Sequence, residues 1–284
     1  MDIFAFIFYC TGRSAVRLLM PVFVFCVTST QLSANENYPL GSRPASMGNA
    51  FVAISDIWSV HHNQAGLARL RSFRAGFHHE NRFMVPEFGL QAVAGVFPVR
   101  PGTIGVSYTY FGYTRYNESK LGLAFGRGFG ERFSAGVQVN YLYTHIAEDY
   151  GDTGSVTVEG GFMAEPVDGL FVAAHIYNPT RAKRYTYYGE PVPTVMRFGV
   201  SGYLSGRLLA AAEVEKDFDN RMIFKGGGEI SFMDSLWLRT GLTTDPVQAS
   251  FGIGYAIGGL TADLAFTNHQ VLGLTPHFSI SYTF

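Results

Sequence analysis

The chain has 284 residues, 47% hydrophobic, 15% charged and 15% aromatic, with 33 glycines and a net charge of −1. Low charge with many aromatics and glycines suits short strands and tight turns better than a helical protein. The net charge of −1 gives no electrostatic support for a nucleic-acid partner. Beyond the amino terminus no apolar run reaches the roughly 18 residues of a helical membrane span.

Residues 1–34 read as an export signal. Arg13 and Arg17 supply a positive region, Leu18 to Val27 an apolar core, and Gln31 to Ala34 a cleavage site. Both cysteines, Cys10 and Cys26, lie in this segment. Phe25 is bulky where a lipid-attachment box takes a small residue, which argues against lipidation at Cys26. Removal of the signal leaves no cysteine, hence no disulfide or thiol chemistry.

Residues 35–71 are rich in Gly, Ala and Ser and lack sustained alternation. They read as a short plug or helix–turn segment, tucked into the mouth of a barrel formed by the rest of the chain. Gly48 and Gly66 permit conformations or close approaches barred to other residues. Asp56 and Asn63 are natural turn or cap residues. Phe51, Val52, Ile54, Ile57 and Trp58 fit either the core of such a plug or the wall of an apolar pocket.

Residues 72–284 alternate in the manner of strands. Fourteen segments recur between turn residues, at roughly 72–80, 87–97, 102–111, 118–127, 131–143, 153–164, 169–177, 193–204, 206–217, 221–232, 235–243, 247–257, 259–267 and 275–284. In the last, Phe278, Ile280, Tyr282 and Phe284 fall on one face and His277, Ser279, Ser281 and Thr283 on the other. A strand of about ten residues, oily outside and polar inside, is what a tilted transmembrane β-strand requires. The expected fold is therefore all-β: a transmembrane antiparallel β-barrel of about 14 strands with a short N-terminal plug. A soluble sandwich or propeller is the alternative, and the apolar outward face argues against it. Counting back from the last strand, one set of connections is short and the other generally longer and more polar, as for periplasmic turns and outer loops.

The terminal Phe284 resembles the carboxy-terminal signal by which bacterial outer-membrane barrels are recognised. This implies outer-membrane lipids and the barrel-assembly machinery as partners. The plug segment carries Gly41, Arg43, Met47, Gly48, Ala50, Ala53 and Asp56, then Asn63, Ala65, Gly66 and Leu67. This frame resembles the amino-terminal signature of barrels related to the long-chain fatty acid transporter (FadL-like). The PorV/PorQ-like proteins of type IX secretion in Bacteroidetes share it. Gln64 departs from the proline usual in the signature. The resemblance implies passive uptake of a small hydrophobic molecule or, alternatively, a partnership with secretion-system proteins or in surface attachment. A non-conducting structural barrel is the third reading, since the loops are short for either branch.

On the inward face of the later strands lie Arg197, Glu213, Glu215, Lys225, Glu229, Arg239 and Asp263. They suit a salt-bridge lattice that fills the lumen, or a polar lining that holds a carboxylate headgroup at Arg197 and Arg239. His61-His62 and His78-His79 lack a nearby cysteine or carboxylate set, so neither metal nor cofactor is expected. His145, Asp149 and Asp152 share an outer loop but suit solvation, and no enzyme is expected. Gly226 to Gly228 lie within a strand, where they relieve crowding. The loop at 178–193, with Arg181, Lys183, Arg184, Tyr185, Tyr187 and Tyr188, is basic and aromatic. It suits lipopolysaccharide phosphates, a partner protein or the membrane interface.

Overall fold

A computed structural model describes residues 37–147, 151–183, 191–218 and 221–284. The expected export signal, Asp149, Arg184, Tyr185, Tyr187 and Tyr188 lie outside the described residues.

Period-two alternation builds fourteen strands: β1 (Arg74–Asn81), β2 (Gly89–Pro98), β3 (Thr103–Tyr113), β4 (Tyr116–Phe129), β5 (Phe133–Ile146), β6 (Gly151–Val167) and β7 (Leu170–Tyr177), then β8 (Val195–Ser205), β9 (Leu208–Asp217), β10 (Met222–Met233), β11 (Leu236–Thr244), β12 (Val247–Ile257), β13 (Leu260–His269) and β14 (Gly273–Thr283). Each strand pairs with its sequence neighbours, and β1 pairs antiparallel with β14, so the sheet closes with no free edge. The expected antiparallel barrel is the fold observed, and each expected segment overlaps one strand. The terminal Phe284 carries the ladder past β14: its N–H donates to the Phe73 carbonyl at 3.0 Å, and the two rings meet at 4.5 Å.

The strands sort their side chains cleanly. On β12, Phe251, Ile253 and Tyr255 point outward while Ser250 and Gly254 are buried inside. Leu123, Phe198, Leu242 and Ile257 are more than half exposed, part of a continuous apolar belt. Such a surface suits hydrocarbon rather than water. Among the described residues no helix is long and apolar enough to cross a membrane.

One rim carries the connections 99–102, 130–132, 168–169, 206–207, 234–235 and 258–259, all short. The other carries 82–88, 147–150, 178–194, 218–221 and 270–272, but also the tight turns 114–115 and 245–246. The expected loop at 144–152 contracts because Thr144 pairs with Thr153 and His145 with Asp152, extending β5 and β6 as a polar ladder.

The chain before β1 runs inside the barrel. It starts near the loop-bearing rim, where the Tyr38 ring lies 4.7 Å from Phe111 and Arg82 stacks 3.9 Å above it. It reaches the turn-bearing rim at Phe73, beside Phe97. Between these points it forms helix α1 (Ser42–Ser46), helix α2 (Ser59–His62) and a 3-10 turn (Gln64–Arg69). Met47, Phe51, Trp58, Val60 and Leu67 are buried against Leu90, Val96, Ala124 and Leu209 of the wall. Burying each large apolar side chain contributes about 1.5–3 kcal/mol, so the main core lies between this inner segment and the wall.

Candidate functional site in the barrel lumen

The inner segment is built from the residues of the amino-terminal motif. Gly41 has φ of +100°, and a side chain there would strike the Trp58 ring. Gly48 has φ of +63° and meets the wall through its backbone. Its N–H donates to Ser250 Oγ at 3.0 Å and its carbonyl accepts from Thr243 Oγ1 at 2.9 Å. Asp56 accepts from the Trp58 N–H at 2.7 Å, closing a turn. Asn63 accepts from the Ala65 N–H at 3.1 Å as a cap and donates to the Val52 carbonyl at 2.8 Å, tying two turns together. Met47, Ala50, Ala65 and Leu67 are buried. Gln64, at the position of the usual proline, is also buried and donates back to the Val60 carbonyl at 3.2 Å. The five apolar residues from Phe51 to Trp58 noted in the sequence are all buried.

The seven lumen charges come together in two groups. Arg43 of the inner segment grips Glu229 through two bonds of 2.8 Å and reaches Asp56 at 3.3 Å. Burial opposes its charge, but the Glu229 and Asp56 carboxylates outweigh this and hold the guanidinium above its ordinary range. Arg239 bonds Glu229 and Asp263, each at 2.6 Å. Nε and Nη1 of Arg239 are thereby committed to carboxylates of the wall. In the second group Lys225 bonds Glu213 at 3.1 Å and Glu215 at 2.6 Å. Glu213 also accepts from the Phe51 and Val52 N–H groups, both at 2.9 Å, and so fixes the inner segment to β9.

Arg197 approaches Glu215 at 3.6 Å and faces a cavity of about 140 Å³. Pro39, Val195 and Ile223 give this cavity apolar lining, and Asn37, Asn49, Arg197, Glu215, Lys225 and Thr243 give it polar lining. His62 also lines it, donating from Nε2 to the Leu40 carbonyl at 2.9 Å. Burial, then the nearby Arg197, holds the His62 imidazole well below its usual pKa, so it faces the cavity uncharged.

Two polar clusters escaped the sequence reading. Glu159 accepts from Lys120 at 3.0 Å and from Gln138 and Asn140 at 2.8 Å, and pairs with His175 at 3.0 Å. Lys120 extends this to Asn37 of the inner segment at 3.0 Å. The available signal was the alternation itself, since Gln138 and Asn140 stand opposite outward Val137 and Val139. The second cluster corrects the reading of His78. His79 does face away, but Glu80 returns to the His78 face, and barrel closure sets His277 opposite Glu80. His61 and His62 lie in α2. His145 and Asp152 form a pair at 2.5 Å on the exposed β5–β6 ladder.

No protein-family model matches the chain, and no curated protein matches it. Solved structures do. The Ralstonia pickettii toluene transporter TbuX is 11% identical with a TM-score of 0.64, over 86% of this chain and 98% of that one. The CymD monoaromatic hydrocarbon channel is 12% identical with a TM-score of 0.69, over 88% and 99%. A Pseudomonas aeruginosa FadL homologue is 14% identical with a TM-score of 0.63, over 87% and 98%. At such identities the likeness is one of fold.

Proposed function

We propose that this protein is an outer-membrane barrel that passively admits a small hydrophobic molecule, with residues 35–71 as its plug. The observation that carries this reading is the inner segment, which fills a closed fourteen-strand barrel yet leaves a cavity beside its first residues. The fold is shared with a toluene transporter and a monoaromatic hydrocarbon channel, which supports a ligand of that class. A cavity of about 140 Å³ is close to the roughly 150 Å³ that accepts one benzene ring. Its mixed lining, with Arg197, Glu215 and Lys225 beside Pro39, Val195 and Ile223, favours an aromatic or aliphatic body bearing a polar end, with Arg197 as the partner of that end. On this reading the loop-bearing rim faces outward, the apolar belt meets outer-membrane lipid, and the protein carries no enzymatic chemistry.

Purified barrel in liposomes tests the proposal with toluene and benzoate as probes and glucose as the polar control. Uptake of either aromatic probe above that of protein-free vesicles, without glucose entry, is the expected result. Aromatic uptake no faster than in protein-free vesicles contradicts transport.

A further inference from the structure

We propose that His78, Glu80 and His277 bind one divalent transition-metal cation of the zinc class, clamping the seam where the first and last strands close the barrel. The three side chains are buried, and one ligand atom from each lies within 4.8 Å of the others. His78 and Glu80 are two residues apart on β1 and so share its inward face. The β1–β14 register then places His277 directly across from Glu80.

The atoms are arranged as ligands rather than as ordinary partners. Glu80 Oε2 lies 3.4 Å from His277 Nδ1 and 3.8 Å from His78 Nε2. Both distances exceed the 2.7–3.2 Å of a sound N–H···O bond. They suit two ligands on one ion, since bonds of about 2.1 Å at a tetrahedral angle set their ends roughly 3.4 Å apart. Among the described residues, neither of these imidazole nitrogens has a hydrogen-bond partner. Both nitrogens stand around one buried carboxylate beyond hydrogen-bond length, a spacing that leaves room for an ion among the three.

The outer ends of all three ligands are held. His78 Nδ1 lies 3.0 Å from Ser279 Oγ. That hydroxyl donates to Ser42 Oγ at 2.9 Å and accepts from the Ser42 N–H at 2.8 Å. With its proton committed to Ser42, Ser279 accepts from His78 Nδ1–H, which leaves the lone pair of Nε2 facing Glu80. His277 Nε2 lies 2.9 Å from Thr267 Oγ1, and Glu80 Oε1 accepts from Arg82 Nε at 2.5 Å. Holding the far nitrogen of a metal-binding histidine is the usual way to fix its orientation. Two imidazoles and one carboxylate favour zinc and its first-row neighbours over calcium or magnesium. Through Ser42 and Arg82 the ion would also couple the seam to the inner segment and to the 82–88 loop.

The untagged full barrel in detergent, stripped by chelator and titrated with Zn²⁺ by calorimetry, tests this. One equivalent is expected to bind and to raise the urea midpoint of unfolding. His277→Ala and Glu80→Gln should each weaken binding by about 100-fold or more, while Thr267→Val, which keeps all three ligands, should weaken it roughly 10-fold. Circular dichroism and heat-dependent gel mobility confirm that each variant has formed a barrel. Absence of stoichiometric binding by the wild type, or unchanged affinity in folded His277→Ala and Glu80→Gln, overturns the proposal. X-ray absorption at the zinc edge of the wild type needs no variant. Two imidazole nitrogens at about 2.0 Å are expected, and a shell without imidazole overturns the assignment.

Discussion

His61 and His62 stand side by side in α2 with ring centroids 5.3 Å apart, enclosed by the barrel. Burial holds both imidazoles well below their usual range, reinforced by Lys120 at His61 and by Arg197 at His62. An unfolded chain takes up these protons as pH falls through about 6.5, while the folded chain does not, so stability falls on acidification. Each histidine contributes a limiting slope of about 1.4 kcal/mol per pH unit. Urea unfolding in lipid vesicles at pH 7 and pH 5 should show this loss. His62→Gln, which can keep a bond to the Leu40 carbonyl, should remove about one histidine's share. An unchanged slope in that variant contradicts the burial argument. At this scale the sequence was legible where chemistry is local: Asp56 and Asn63 make the turn and cap bonds their residue types suggest. It was not legible where partners come from distant strands. Asp263 of β13 reaches Arg239 of β11 across β12, and His277 meets Glu80 only because the barrel closes.

Strands and inner segment fit each other through the absence of side chains. Gly227 of β10 and Gly241 of β11 are register partners, and together they make a flat floor under the backbone of Met47 and Gly48. A side chain at Gly241 would occupy the space of the Gly48 amide. Gly241→Val suits a strand, so the barrel should still form, but the inner segment must be displaced. Overpacking of this kind costs about 1–3 kcal/mol, or roughly a 5- to 150-fold rise in the displaced population. Limited proteolysis with mass spectrometry should find cuts within residues 42–70 that the wild type resists. Equal resistance contradicts the fit. Strand positions were readable from alternation because one face meets lipid and the other the lumen. Strand ends were less readable, since above the apolar belt Thr144, His145, Asp152 and Thr153 pair as a ladder without any alternation in polarity. The short α1 and α2 helices carry no periodic signal at all, and their shape comes from the wall they touch.

For the molecule as a whole, the closed ladder, the apolar belt and the filled lumen are one arrangement. A barrel of this size could not leave its inward charges unpaired, and the inner segment supplies Arg43, Asp56 and the Phe51 and Val52 amides that complete them. These polar ties and the apolar core between segment and wall together hold the segment in place. We propose that passage of a ligand requires this segment to move. Ser42 of the segment and Ser279 of β14 have hydroxyls 2.9 Å apart, and residues 35–284 contain no cysteine. Ser42→Cys with Ser279→Cys therefore places two thiols where one disulfide can form. Toluene and benzoate uptake should then be measured in liposomes with the pair oxidised and again after reduction. Uptake is expected to stop when the segment is locked and to return on reduction. Equal uptake in both states would contradict it.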